Sequence, residues 1–130
     1  MDVKVYSKTK NGAEKLSRNF RVQEFACSDG TDPVFIAPAL VSLLQALRDH
    51  FGAPVTICSG YRTTAKNKAV GGAQYSQHLY GAAADITVKG VTPEKVAREA
   101  RAHLGNTGGV GRYKTFTHVD VRAKRSDWTG

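Results

Sequence analysis

An α+β fold is predicted for this sequence by three features. One helix is strongly amphipathic, a second has marked start signals, and short apolar runs of strand length lie around them. The helical and strand-like segments do not alternate in the regular rhythm of a βαβ protein, so the two kinds of element are expected to pack as α+β.

Taken in order, residues 18–26 carry Phe20, Val22 and Phe25 and predict a short helix. Asp29-Gly30-Thr31-Asp32-Pro33 is a turn by composition. The clearest helix then starts at Pro38, a residue favoured at the first helical position. Its Leu40, Leu43, Leu44 and Leu47 stand at i, i+3, i+4 and i+7 on one face, and His50-Phe51-Gly52 ends it. Val55 to Cys58 reads as a buried strand. Ser59-Gly60-Tyr61-Arg62 leads from it into an irregular stretch reaching about His78, with a short helix from Thr64 to Val70 before Gly71-Gly72. Ala82 to Val88 reads as a second strand ended by Gly90. Thr92 as cap and Pro93 at the first position start another helix, which Val96, Ala100 and Leu104 continue to Gly105. Val110 to Arg122 alternates like a hairpin turning near Lys114 and Thr115.

No repeat, low-complexity segment or linker divides the 130 residues, so residues 1–130 are expected to form one domain with one core. The apolar fraction of 41% is ordinary for a globular protein, and no segment has the ~20 apolar residues of a membrane span. Met1 to Tyr6 alternates apolar and polar residues without a signal-peptide core, so export is expected to use another route. Nineteen basic residues against eleven acidic ones give a net charge of +8, which suits an anionic partner, nucleic acid or an anionic wall polymer. The basic residues are dispersed and lack the aromatic interleaving of a base-stacking surface, so no specific nucleic-acid binding is expected. Cys27 and Cys58 have no close cysteine neighbours and read as two plain thiols rather than metal ligands; whether they pair is open.

Chemistry concentrates in two segments. In Ser76-Gln77-His78-Leu79-Tyr80-Gly81-Ala82-Ala83-Ala84-Asp85, small residues between His78 and Asp85 let the chain fold tightly enough for both groups to converge. In Phe116-Thr117-His118-Val119-Asp120-Val121-Arg122, strand alternation puts His118 and Asp120 on one face. Two imidazoles and a carboxylate are a standard three-ligand set for catalytic zinc, with a fourth position left for water. Each residue also has a plainer reading, the histidines as satisfied core or surface groups and Asp85 as a strand-end cap. His50 and His103 have only the plainer one, as cations at helix C-termini.

Ser59-Gly60-Tyr61-Arg62, Gly71-Gly72, Ser76-x-His78-x-x-Gly81-x-Ala83-x-Asp85 and His118-Val119-Asp120 occur in that order. With these motifs the chain resembles the family of zinc D-alanyl-D-alanine carboxypeptidases and peptidoglycan endopeptidases, in its short single-domain bacterial or phage branch, from about Phe20 to Trp128. The resemblance implies a hedgehog/DD-peptidase-like fold, with a small antiparallel sheet and flanking helices. It implies Zn2+ held by His78, Asp85 and His118, and hydrolysis of the peptidoglycan stem peptide as a D,D-carboxypeptidase or an endopeptidase. It gives Arg62 the task of binding a substrate carboxylate or polarising the scissile carbonyl, through the bidentate geometry of a guanidinium. Ser76 is implied as a substrate contact or as an orienting group for its loop, and Tyr61, Gln77 and Tyr80 as lining of the cleft. A monomer acting on the cell envelope is expected, in a phage lysis or tail-associated setting.

One position departs from the family pattern. Many relatives carry an acidic base three residues before the last zinc histidine, where this chain has Thr115. Asp120 is then the expected base, or else the group that holds the His118 ring in one tautomer, with Glu24 and Asp127 as reserve carboxylates. The missing acid leaves a rival reading, a wall-binding module on the same fold with impaired catalysis. A small basic nucleic-acid binder, suggested by charge alone, is the remote alternative.

Overall fold

The computed structural model describes residues 2–130 of the chain. The elements in order are β1 (Lys4–Ser7), α1 (Lys8–Asn11), β2 (Lys15–Ser17), β3 (Phe20–Arg21), β4 (Pro33–Ile36), α2 (Pro38–Phe51), β5 (Val55–Ser59), α3 (Thr64–Ala69), β6 (Ala83–Val88), α4 (Pro93–Leu104), β7 (Gly109–Arg112), β8 (Thr117–Asp120) and β9 (Ser126–Thr129). Two 3-10 turns, Val22–Phe25 and Gln77–Tyr80, complete them.

The two long helices form where their start and stop signals stand. Helix α2 has Pro38 in its first turn and stops at Gly52, whose φ of 59° is left-handed. Its leucine stripe is buried throughout. In α4 the Thr92 hydroxyl accepts from the Lys95 amide, and Val96, Ala97 and Ala100 face inward. The strand-like runs and the short α3 also form within a residue or two of their expected bounds.

The main sheet has five strands in the order β5-β6-β8-β7-β9. Its first four strands pair antiparallel. The last, β9, runs parallel to β7, so the sheet is mixed rather than antiparallel throughout. Alternation along the strands divides its two faces. Ala84, Ile86, Val88, Val119 and Val110 pack with the buried faces of α2 and α4 into one core. Each fully buried Leu or Ile there contributes roughly 1.5–3 kcal/mol. The opposite face, carrying Asp85, His118 and Asp120, is the one on which the polar site is built.

The helix expected over residues 18–26 needs correction, and several strands were not foreseen. Residues 18–26 are not one helix: Phe20 and Arg21 pair with β2, and only Val22–Phe25 turns, as a 3-10 segment. Phe20, Val22 and Phe25 are nonetheless buried together, so the apolar spacing marked the burial and not the backbone. The N-terminal alternation is β1, which pairs antiparallel with β4, and Pro33 ends its turn by starting that strand. Strand β9 went unforeseen because four residues, three of them polar, carry little apolar signal. Both cysteines are free thiols, Cys27 buried and Cys58 exposed.

Candidate metal centre

One row of the sheet builds the floor of the site. Register pairs Ser59 with Asp85, Asp85 with His118, His118 with Gly111, and Gly111 with Trp128. Facing residues on adjacent strands have touching side chains, so Asp85 and His118 meet by register alone. His78 joins them from the 3-10 turn Gln77–Tyr80. Ser76 caps that turn by accepting the His78 amide, and Gly81 ends it. Gly81 has a φ of 69°, and a Cβ there would stand 2.1 Å from the Phe35 carbonyl oxygen. The glycine in the motif is thus required both by its backbone angle and by the strand it rests on.

His78 Nε2 lies 3.3 Å, and His118 Nδ1 3.0 Å, from the same oxygen, Asp85 Oδ1. His78, Asp85 and His118 each present one ligand atom, all within 4.8 Å of one another. The two short separations are close to the ~3.4 Å edge of a tetrahedron with metal–ligand bonds of ~2.1 Å. The opposite nitrogen of each ring is taken: His78 Nδ1 donates to the Gly60 carbonyl at 2.7 Å, and His118 Nε2 donates to Asp120 Oδ2 at 2.7 Å. Those bonds select the tautomers in which Nε2 of His78 and Nδ1 of His118 are lone-pair donors. Three buried groups with nitrogen, nitrogen and oxygen donors, each tautomer fixed from behind, fit a tetrahedral zinc ion with one position open to the cleft.

The electrostatics agree with a cation-binding centre. Burial alone would raise the Asp85 carboxyl, but its close contacts with the His118 and His78 imidazoles prevail and hold it well below the ordinary carboxylate range. Burial would lower His118, yet its bonds to Asp120 and Asp85 raise it above 6.5.

The centre opens into a cleft of about 360 Å³. Of the expected site residues, Arg62, Ser76, Gln77, His78, Asp85 and His118 line it. Arg62 is held by three bonds: Nε to Ser59 Oγ at 3.1 Å, Nη1 to Asn67 Oδ1 at 3.3 Å and Nη2 to Asp85 Oδ2 at 3.3 Å. Tyr61 does not line the cleft. Its ring packs instead on Phe35, at 5.1 Å. Tyr80 is 45% exposed and outside the cleft too.

Asp120 shares the sheet face of His118 but stands behind its ring, fully buried. Oδ2 accepts from His118 and from Arg122 Nη2 at 2.6 Å; Oδ1 accepts from the Gly109 amide at 2.9 Å, the Arg122 amide at 3.1 Å and Arg122 Nε at 2.9 Å. No oxygen of it faces the cleft, and among the described lining residues Asp85 is the sole carboxylate. Glu24 accepts from the Arg21 amide in the 3-10 turn Val22–Phe25, and Asp127 pairs with Arg101 and Arg125; neither lines the cleft. Thr115 is exposed in the β7–β8 turn.

Sequence reasoning missed Asn67, Tyr113, Arg122 and Trp128. Asn67 is buried on α3 with its amide donating to the Ala73 carbonyl, a contact with no signature in a Lys-rich helix. Trp128 lines the cleft because β9 lies beside β7, a pairing that local patterns do not announce, and Arg122, just past β8, is held there by Asp120.

Comparison with known proteins gives two findings. The family described as Peptidase M15 matches residues 14–120. A zinc D-Ala-D-Ala carboxypeptidase of Streptomyces albus G is 41% identical over 70 residues, which are 52% of this chain and 28% of that protein. The match therefore spans less than a third of that relative's length.

Proposed function

The chain belongs to the peptidase M15 family, and on that premise we propose that it is a zinc peptidase of the bacterial cell wall. Its substrate in this reading is the peptidoglycan stem peptide, cut at the terminal D-Ala-D-Ala bond or at an internal bond. The observation that carries the reading is the convergence of His78 Nε2 and His118 Nδ1 on Asp85 at the floor of an open cleft. A bound zinc ion supplies Lewis acidity and lowers the pKa of its water toward ~7.

The chain's own residues supply the rest. His78, Asp85 and His118 hold the ion. Gly60 and Asp120 fix the two imidazole rings. Asp120 is assigned this orienting role in preference to that of base, because all its lone pairs point to donors inside the protein. Arg62, anchored by Ser59, Asn67 and Asp85, keeps spare N–H groups for a carbonyl oxygen that gains charge as the bond breaks. Ser76 orients the loop through the His78 amide, and Gln77 faces the peptide. The +8 charge favours adsorption to anionic wall polymers.

The test is zinc analysis of the purified chain, with a digest of purified peptidoglycan resolved by mass. About one zinc per chain and newly cut stem peptides are expected, and His78→Ala should lose both. Full zinc occupancy in that variant would remove the assignment. A second reading, wall binding with impaired hydrolysis, is favoured by one observation, the lack of a free carboxylate in the cleft. It predicts zinc occupancy and wall adsorption without any cut peptide.

A further inference from the structure

Two guanidinium groups line the cleft, and they are held differently. Arg62 has each of its three nitrogens on a protein acceptor, and its side chain is 15% exposed. Arg122 donates Nε and Nη2 to Asp120, while Nη1 has no hydrogen-bond partner among the described residues; its side chain is 31% exposed. The Arg122 guanidinium carbon lies 5.3 Å from the centre of the Trp128 ring. That indole is pinned by Nε1 donating to the Tyr113 hydroxyl at 2.9 Å, and it rests 4.9 Å from the His118 ring. It reaches His118 because Gly111 stands between them in the sheet row; a Cβ there would stand 2.6 Å from the indole. Arg122 and Trp128 both lie beyond residues 14–120, the stretch that matches the family.

A cation with an unused pair of N–H groups, beside a rigid aromatic face and next to a metal ligand, suits an anion that carries a small apolar group. The charge of Asp120 is shared among His118, the Gly109 amide and Arg122, so the pair does not exhaust the Arg122 guanidinium as a donor. We infer that Arg122 and Trp128 form a substrate subsite, in which Nη1 donates to a carboxylate beside the scissile bond and the indole covers the adjacent side chain. The inference rests on the zinc peptidase reading and deepens it, because a free carboxylate becomes part of what the cleft selects. Two groups of a stem peptide offer that chemistry, the C-terminal carboxylate of a terminal D-alanine and the α-carboxylate of a γ-linked D-glutamate.

The experiment uses the zinc-loaded full chain and three peptides: L-Ala-γ-D-Glu-L-Lys-D-Ala-D-Ala, its C-terminal amide, and its D-isoglutamine analogue. Binding is followed by the emission of Trp128, the one tryptophan of the chain, and hydrolysis by KM and kcat. The acid should shift the emission, and one of the two amidated peptides should raise Kd and KM about ten- to hundredfold with little change in kcat. Which amide does so identifies the carboxylate. Arg122→Lys keeps a charge for Asp120 but loses the fork, so it should retain zinc and bind acid and amide alike. The subsite is overturned if both amides bind the wild type as tightly as the acid, if saturating peptide leaves the emission unmoved, or if Arg122→Lys keeps the discrimination. The wild-type comparison decides alone if Arg122→Lys does not fold. Failure of the zinc peptidase reading looks different: no zinc is retained, or no peptide is cut while emission still separates acid from amide.

Discussion

Asp120 and Arg62 are the residues whose surroundings say most about their work. A carboxylate that is to take a proton from water must have a lone pair in the cleft, and Asp120 has both oxygens turned to His118, Arg122 and the Gly109 amide. Asp120→Asn is therefore expected to weaken zinc affinity by about 10- to 100-fold, the usual cost of losing a partner behind a metal-bound histidine. A base would behave otherwise: zinc affinity would hold while kcat dropped by roughly 10²-fold. Zinc titration alongside kcat at saturating metal separates the two. Arg62 is fixed by three acceptors in a fork that an ammonium cannot reproduce. Arg62→Lys should keep the metal and lose about 10²-fold in kcat, the scale of one lost oxyanion donor. Unchanged kinetics would leave Arg62 as a strut for Asp85 alone. The pair Ser76 and His78 was legible from the motif, and the structure brings them together as cap and capped turn. Tyr61 stands outside the cleft lining because a motif gives identity and order but not the direction in which a side chain leaves the backbone.

Among the elements, the turn that carries His78 depends on a close backbone approach. The Gly81 carbonyl accepts from the Ala37 amide at 2.9 Å, which ties the turn to the start of α2. In Gly81→Ala the new Cβ would meet the Phe35 carbonyl at a left-handed φ. A loss of about 3 kcal/mol or more is expected in chemical denaturation, well above the ~1 kcal/mol of an ordinary Gly→Ala change in a strained turn. A near-neutral result would mean that β4 and the turn move apart freely. Helices α2 and α4 were readable because caps, proline and periodicity all lie within their own sequences. Strands β1, β4 and β9 were not, since each is four residues long and exists through its partner.

For the molecule as a whole, metal and fold are coupled. The floor groups Asp85, His118 and Asp120 lie on strands β6 and β8 at the middle of the sheet, so an ion held there stabilises the folded chain by mass action, by about 4 kcal/mol at a thousandfold excess over Kd. Chelation should lower Tm, and added zinc should restore it; an unchanged Tm would mean that the ion binds folded and unfolded chains alike. Proton and metal compete for His118 Nδ1, and Asp120 and Asp85 raise that imidazole above its ordinary value. Since the protonated form cannot ligate, affinity is full above the raised value and is lost as pH falls through it, at higher pH than for an ordinary histidine. Isothermal titration across that window checks the sign. From sequence alone came the α+β class, the two long helices, the hairpin and the three candidate metal ligands, because these reside in short-range period, caps and spaced motifs. The tertiary structure alone decided that Asp120 sits behind His118, that Tyr61 leaves the cleft, and that Arg122 and Trp128 enter it. Those outcomes depend on strand register and on β9 pairing with β7, contacts between residues far apart in the chain whose geometry no local pattern encodes.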